Sequence, residues 1–410
     1  LESISPSELA VELLNHCLRG SQWPEDVLDA LVAEALDEDE RLAAAATRAL
    51  FSILVERLAD LFEPRLCDTY AALFSRVVGQ ALPELKAPDL VRRYNAVRAV
   101  RPVTKAPKNV FVPSRVTLGA DVAVTSIVLD AARQRFPDAQ IWFVGPQKAW
   151  ELFAYSPGLK HVRVDYGRRG LLAGRLHVFH ELRDVFSQPG SLVLDPDSRL
   201  TQLGILPVCP EDRHHLFESR SYGGDSTASL SCLTQHWVRE TLGVEDAQPW
   251  LHPKFQYDFG SQPVTTVSLG VGENPAKRLE DPFEEELLKL LAHDNALVMV
   301  DAGAPGSEEE QRVRRAIERT ALSSDRIGLH EGSFASFAAM IAASSLFAGY
   351  DSAGQHVAAT LGIPLICVFS GYASQRMFQR WSPDSPGPST VIQVQDQGPV
   401  DVLNSIRQAL

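Results

Sequence analysis

"YDSAGQHVAATLGIPLICVF", Tyr350 to Phe369, is the stretch on which the fold turns. Ahead of it, "SSLFAGY" is a short apolar run with turn residues inside, and it reads as a buried strand. Asp351 and Ser352 are both good helix N-caps. Val357, Ala358 and Leu361 form a helical apolar stripe, Gly362 suits the position just past a helix end, and Pro364 cannot prolong the helix. "LICVF" then reads as a second buried strand. Strand, helix and strand in so short a span make a βαβ unit, so the two strands should run parallel. Asp351, Ser352, Ala353, Gly354 and His356 therefore fall at the carboxyl end of a strand and the amino end of a helix. Open α/β sheets bind ligands there, and free N–H groups with the helix dipole favour an anion. Ser352 and His356, four residues apart, share one helical face.

The same texture extends outward. Downstream of "HPKFQYDFGSQP", an expected connection, the runs "VTTVSLGVG", "ALVMVDAG", "RIGLHEG" and "TVIQVQ" alternate with helical "PFEEELLKLLAHD", "SEEEQRVRRAIERTA", "FASFAAMIAAS" and "VDVLNSIRQAL". Upstream, "NVFVPSR", "QIWFVG", "KHVRVDY" and "GSLVLD" read as strands, and "DVAVTSIVLDAARQRF" as a helix with Val124, Ile127, Val128 and Ala131 on one face. Residues 205–255 are less regular, with one expected helix, "SLSCLTQHWVRETLG". Strands alternating with helices predict doubly wound parallel sheets. The fold class is α/β: two Rossmann-like domains, 106–255 and 256–410, facing a cleft.

Residues 1–105 carry only helical periodicity, as in "PEDVLDALVAEAL" and "DERLAAAATRALFSILVERLADLF". They predict a separate all-α N-terminal domain, acidic up to about Pro64 and without a fixed repeat period. From Lys86 to Arg115 the chain turns basic, which reads as a solvated linker or as a surface for an anionic acceptor or headgroup.

The 410 residues are 45% hydrophobic and 22% charged, in keeping with a globular protein of two or three domains. The net charge of −13 argues against a general nucleic-acid binder. No apolar run approaches the ~18–20 residues of a membrane span, and no basic-then-apolar leader opens the chain. Five scattered cysteines without a CxxC spacing argue against a zinc site or a disulfide framework. The expected location is the cytoplasm, or the inner face of the cytoplasmic membrane.

Four places could carry chemistry. Asp121 follows a Gly-Ala turn and opens a helix; it is either an N-cap acid or a general base that takes a hydroxyl proton as the oxygen attacks. Gly272 and Asn274 lie in "LGVGENPAKRL" with Lys277, a cation able to neutralise a diphosphate; the GK[ST] ending of a Walker loop is absent. Three glutamates open the helix after "DAGAPGS", and one of them, Glu308 by preference, could accept from ribose hydroxyls. The fourth place is the opening stretch, and "SQRMFQRWSP" offers a base-stacking or acceptor-facing edge.

These stretches together resemble glycosyltransferase family 9, the heptosyltransferase-like group with the GT-B fold. "DSAGQHVAATLGIPLICVFSG" follows the family's signature near its C-terminus, "RWSP" resembles its later Arg-Trp-Gly-Pro, and "AKRL" its Ala-Lys-Arg-Trp. "GAPGSEEEQRVRRA" is similar to its Gly-Ala-Pro plus glutamates. The resemblance covers about residues 108–410. It departs in two places: "GAD" stands where the family has Gly-Asp, and Ala353 where glycine is usual. The resemblance implies an inverting, metal-independent glycosyltransferase. Asp121 is then the catalytic residue. The nucleotide-sugar site is Gly272, Asn274, Lys277, Glu308, Ser333, Asp351, Ser352, Ala353, Gly354 and His356. No cofactor is implied beyond an ADP- or UDP-linked donor, with heptose the family's sugar. The implied acceptor is a glycan, lipid-linked or protein hydroxyl, as on lipopolysaccharide core. The helical domain would serve self-association or a protein partner. The alternative is a nucleotide-sugar-binding protein on the same body without turnover.

Overall fold

The computed structural model describes residues 4–167, 170–272, 274–292 and 296–410. Two all-parallel sheets organise it. The first contains β1 (Asn109–Pro113), β2 (Gln140–Gly145), β3 (Leu159–Arg163), β4 (Ser191–Asp195) and β5 (His214–Leu216), in the order β3-β2-β1-β4-β5. The second contains β6 (Val264–Ser268), β7 (Leu297–Asp301), β8 (Ile327–His330), β9 (Leu346–Tyr350), β10 (Leu365–Phe369) and β11 (Ser389–Gln393), in the order β11-β10-β9-β6-β7-β8. The expected βαβ unit is β9, the helix Ala353–Leu361 and β10, with Leu365 opposite Phe347 in parallel register. Gly362 ends that helix at φ 67°, where a side chain would be strained.

Both sheets reverse direction of winding at an interior strand pair. In the first this lies between β1 and β4, in the second between β6 and β9. The second crevice demands close backbone approach: a Cβ on Gly349 would lie 2.1 Å from the Ser268 carbonyl oxygen. Loops leaving β1, β4, β6 and β9 converge on one seam between the lobes. That seam is packed. A Cβ on Gly119 of the first lobe would lie 3.0 Å from the His356 ring of the second. Arg380 reaches back to the Ser226 and Ala228 carbonyls, both at 2.7 Å.

The N-terminal helices, Pro6–Arg19 through Ala87–Arg98, form as the periodicity predicts. They do not stand apart from the first lobe. Leu73, Phe74 and Val77 share one apolar core with Phe111 of β1, Val193 of β4 and the helix Leu172–Phe186. Tyr70 donates to the Gln202 carbonyl at 2.9 Å, and buried Arg93 to the Cys209 carbonyl at 3.0 Å. Parallel sheets must be covered on both faces, and these helices help cover one of them. Half of the basic run is internal wiring: Arg101 donates to the His214 carbonyl at 2.8 Å and Arg98 pairs with Asp68, while Lys86, Arg92, Lys105 and Lys108 stay exposed. The helix Leu172–Phe186 and strand β5 were not expected from sequence. The expected end of "PFEEELLKLLAHD" at His293 and Asp294 lies outside the described residues.

Candidate active site

Lys277 is the centre of the second lobe's site. It closes a short helical turn, Pro275–Lys277, capped by Asn274, whose side chain accepts from Ala276 N at 3.1 Å and donates to the Gly371 carbonyl at 2.8 Å. The ammonium donates to Asp351 Oδ2 at 2.6 Å and to the Asp351 carbonyl at 3.1 Å. Asp351 also accepts from Gln355 Nε2. Ser352 begins the helix Ala353–Leu361 without capping it; its hydroxyl turns to Ser268 Oγ at 3.4 Å. The first-turn N–H groups of this helix thus have no side-chain acceptor and sit beside a cation. That is the geometry of an anion site.

Two cavities meet here. One, about 680 Å³, runs between Ala120, Lys148 and Tyr166 of the first lobe and Ser268, Glu309, Phe334 and Ser352–Gly354 of the second. The other, about 800 Å³, lies beyond it. Thr117, Gly272, Lys277 and Trp381 line both. Of the predicted donor set, Gly272, Lys277, Asp351, Ser352, Ala353, Gly354 and His356 line the first cavity and Asn274 the second.

Three expectations are displaced by one residue. Glu308 is exposed and lines a separate small pocket with Arg312, Arg315 and Arg319; Glu309 lines the cavity instead. Gly270 and Gly303 make room for it, since a Cβ on either would lie 2.9 or 2.6 Å from Glu309 Oε1. Burial pushes the Glu309 carboxyl up. Ser333 is a cap, accepting from Ser336 N at 3.2 Å, while the next residue, Phe334, lines the cavity. Asp121 is wholly buried, and Ala120 holds the cavity-facing position. Successive helical residues differ by about 100°, so the inserted alanine swings the acid inward. The helix opens into a wide π turn at Asp121–Thr125.

Asp121 does not face the gap as the sequence implied. Its carboxylate accepts from Ser114 Oγ at 2.6 Å, Arg115 N at 2.8 Å and Thr125 Oγ1 at 2.7 Å. Burial raises its pKa to about 6 against those bonds. The acid therefore fixes the loop Ser114–Thr117, which lies on the seam. His356 is buried beside Trp381, ring centroids 5.7 Å apart, and burial lowers its pKa to about 4. It is neutral at pH 7, a packing and hydrogen-bonding group rather than a cation.

Of the polar groups of the second cavity, sequence reading had Asn274 and Lys277, and Arg115 only as the end of the basic run; it missed Asp197, Arg199 and Arg220. Arg115 donates to the Pro196 carbonyl at 2.6 Å and to Ser219 Oγ at 3.0 Å. Asp197 accepts from Ser219 Oγ at 2.7 Å, and Arg220 Nε lies 3.3 Å from it. Asp197 Oδ1 is buried without a partner. "LDPDSR" and "ESRS" hold Asp197, Arg199, Ser219 and Arg220, a density of charge just after a strand that was the available signal. Among the described residues no cluster of His, Cys, Asp or Glu could hold a metal ion, and no helix is long and apolar enough to cross a membrane.

A two-lobed parallel α/β body with a seam between the lobes is the GT-B architecture. The sequence profile of glycosyltransferase family 9 (heptosyltransferase) matches residues 251–391, within the second lobe. The solved family 9 glycosyl transferase from Veillonella parvula superposes with a TM-score of 0.56 at 16% identity, covering 75% of this chain and 99% of that one. E. coli heptosyltransferase WaaC with ADP superposes at 0.52 with 15% identity, covering 74% and 100%. At such identities these two likenesses concern the fold. No curated protein matches the chain.

Proposed function

We propose that the protein transfers a sugar from a nucleotide-diphospho donor, held by the second lobe, to an acceptor hydroxyl in the second cavity. One observation carries this reading: Lys277 and the uncapped start of the helix Ala353–Leu361 form a diphosphate-sized cradle at a topological switch point, facing the first lobe. The capture of WaaC with ADP is in keeping with such a donor. The nucleoside would lie along Glu309 and Phe334, with the carboxylate on the ribose hydroxyls. By family resemblance the base is adenine or uracil, the sugar is heptose, and the acceptor lies on lipopolysaccharide core or protein.

In a single displacement the acceptor oxygen bonds the anomeric carbon as the bond to the diphosphate oxygen breaks, inverting that carbon. The electron pair leaves on the diphosphate, where Lys277 and the helix N–H groups stabilise it without a metal. The hydroxyl proton needs an acceptor. Asp121 has all its visible bonds directed into the protein, so it acts here as a positioning residue. Asp197, with a free Oδ1 and a carboxyl pushed up by burial, is the better-placed base. Its φ of 68° is a left-handed conformation often kept for function.

A second reading, donor binding without turnover, is favoured by the enclosure of Asp121. Calorimetry with nucleoside diphosphates, beside a mass-spectrometric screen of nucleotide sugars for hydrolysis, separates the two. Binding without hydrolysis or transfer would select the second reading, and no nucleotide binding would end both.

A further inference from the structure

Arg93, on the N-terminal helix Ala87–Arg98, is 5% exposed, and its guanidinium reaches into the turns that follow β4. Nη2 lies 2.8 Å from His214 Nδ1 and donates to the Cys209 carbonyl at 3.0 Å; Nη1 donates to the Gly204 and Leu206 carbonyls, both at 3.4 Å. His214, on β5, is wholly buried, and its Nε2 lies 3.1 Å from Asp195 Oδ2 at the end of β4. Asp195 is equally buried and accepts from Ser198 N at 2.7 Å and from Thr201 Oγ1 at 2.6 Å. We propose that Arg93 is a positioning residue of the transfer site: through His214 and Asp195 it holds the segment 196–203, which carries Asp197. The transfer site rests on the function proposed above; the relay from Arg93 to that segment does not.

Three observations support it. First, the hydrogen bonds run in one direction only. A guanidinium can donate but not accept, so His214 Nδ1 is the acceptor, the ring proton sits on Nε2, and Nε2 donates to Asp195. Burial lowers the His214 pKa, so the ring stays neutral and this tautomer is the one held. Every link is buried, where a satisfied network is rigid and a broken one costly. Second, the segment does not keep its shape unaided. Asp197, Gln202 and Leu203 have φ of 68°, 51° and 55°, three of the six described non-glycine residues with positive φ, so strain is concentrated here. Such conformations persist only where surrounding structure imposes them. Third, the same helices grip the far end of the segment independently: Tyr70 donates to the Gln202 carbonyl at 2.9 Å. The N-terminal helices thus fix the segment at its start through Asp195 and at its end through Tyr70, with Asp197 between. The Ser198 hydroxyl passes the constraint to β1's loop by donating to the Ser114 carbonyl.

The test uses the full chain with Arg93→Met, His214→Phe and His214→Gln. Nitrogen-15 NMR of histidine-labelled protein should place the His214 proton on Nε2 in the parent. Hydrogen exchange read by mass spectrometry should rise at least about tenfold in residues 198–206 in Arg93→Met and in His214→Phe, while β9 in the other lobe keeps its parental exchange. His214→Gln, which keeps an oxygen for Arg93 and an N–H for Asp195, should stay near the parental value. Turnover of a hydrolysed nucleotide sugar should lose about 10- to 100-fold in kcat in the first two variants, with KM and ADP affinity unchanged, and recover in the third. Should Arg93→Met fail to fold, His214→Phe against His214→Gln makes the same comparison. A proton on Nδ1 in the parent, parental exchange in 198–206 in the variants, or exchange raised equally in β9 would overturn the relay; kcat at the parental value would overturn the positioning role. A parent protein that hydrolyses no nucleotide sugar would strike the transfer reading alone, and the NMR and exchange results would still decide the relay.

Discussion

Lys277→Ala separates the two jobs of that lysine. Its side chain is 18% exposed and that of Asp351 9%, so the ion pair is largely desolvated. Breaking a buried pair from one side costs about 3–5 kcal/mol, because the other charge is left behind. Partial exposure, and the remaining bond from Gln355, bring the expected loss of unfolding free energy to about 2–3 kcal/mol. Adding Asp351→Asn removes the stranded charge and should restore most of it. Ligand affinity should behave differently. A charge-assisted contact to phosphate contributes about 1.5–3 kcal/mol, so diphosphate affinity should drop about 10- to 150-fold in the single and the double variant alike. Nucleoside affinity should hardly change. Urea denaturation gives the first quantity and isothermal calorimetry with nucleoside and nucleoside diphosphate gives the second. If nucleoside and diphosphate lose affinity equally, or if the double variant regains diphosphate binding, the phosphate role of Lys277 is refuted.

Glu309→Ala should lower nucleoside affinity about tenfold or more by removing a charged ribose acceptor, while Glu308→Ala leaves it unchanged; calorimetry on the two decides between adjacent glutamates. Two buried groups titrate in opposition. Asp121, raised from 3.8 to about 6, gives stability that is whole below pH 3.8 and is lost as pH rises through 6; His356, lowered from 6.5 to about 4, gives stability that is whole above pH 6.5 and is lost as pH falls through 4. Each is worth roughly 3 kcal/mol at most, so Asp121→Asn should steepen the fall in stability on acidification between pH 6 and 4 and His356→Gln should flatten it, in denaturation curves taken across that range. Removing residues 1–105 should leave 106–410 poorly soluble and without cooperative unfolding, since it strips cover from the first sheet; a truncated chain that melts cooperatively and binds nucleotide would make the helices an appended module.

The architecture was legible because its signals are strong and local. β9 and β10 are five-residue, largely apolar runs closed by turn residues, and burial leaves such runs no other place. The Lys277–Asp351 pairing was legible because Asp351 and Ser352 directly follow β9 and Lys277 lies on the loop after β6, and adjacent strands bring the two loops together. β5 escaped because it has three residues, two of them histidines, and is recognised only by pairing with β4. The helix Leu172–Phe186 escaped because its apolar residues are interrupted by Arg175, His177 and His180. The single-residue misses share a cause. At Ala120/Asp121, Glu308/Glu309 and Ser333/Phe334 the residue type was right for the helix start, but the phase of a first turn is set by its cap and its packing, which periodicity downstream does not fix.

That phase has consequences for the chemistry. A carboxylate one position earlier than Asp121 would point into the seam; at Asp121 it points at Ser114 and Arg115 N, and so holds in place the loop whose Arg115 and Thr117 line the second cavity. The same loop carries Val116 at φ 72°, a conformation costly for a β-branched residue, and the Asp121 carboxylate is one of the few groups positioned to enforce it. In the function we propose, positioning and proton transfer are divided between two acids: Asp121 shapes the wall, and Asp197, on the neighbouring β4 loop with a buried Oδ1 that has no hydrogen-bond partner, takes the acceptor's proton. A shift of catalytic duty from β1 to β4 needs no change in the donor lobe, because both strands flank the same switch point of the first sheet. It does need a chamber on the β4 side with a third wall, and the N-terminal helices at Ser52 to Phe62 supply one.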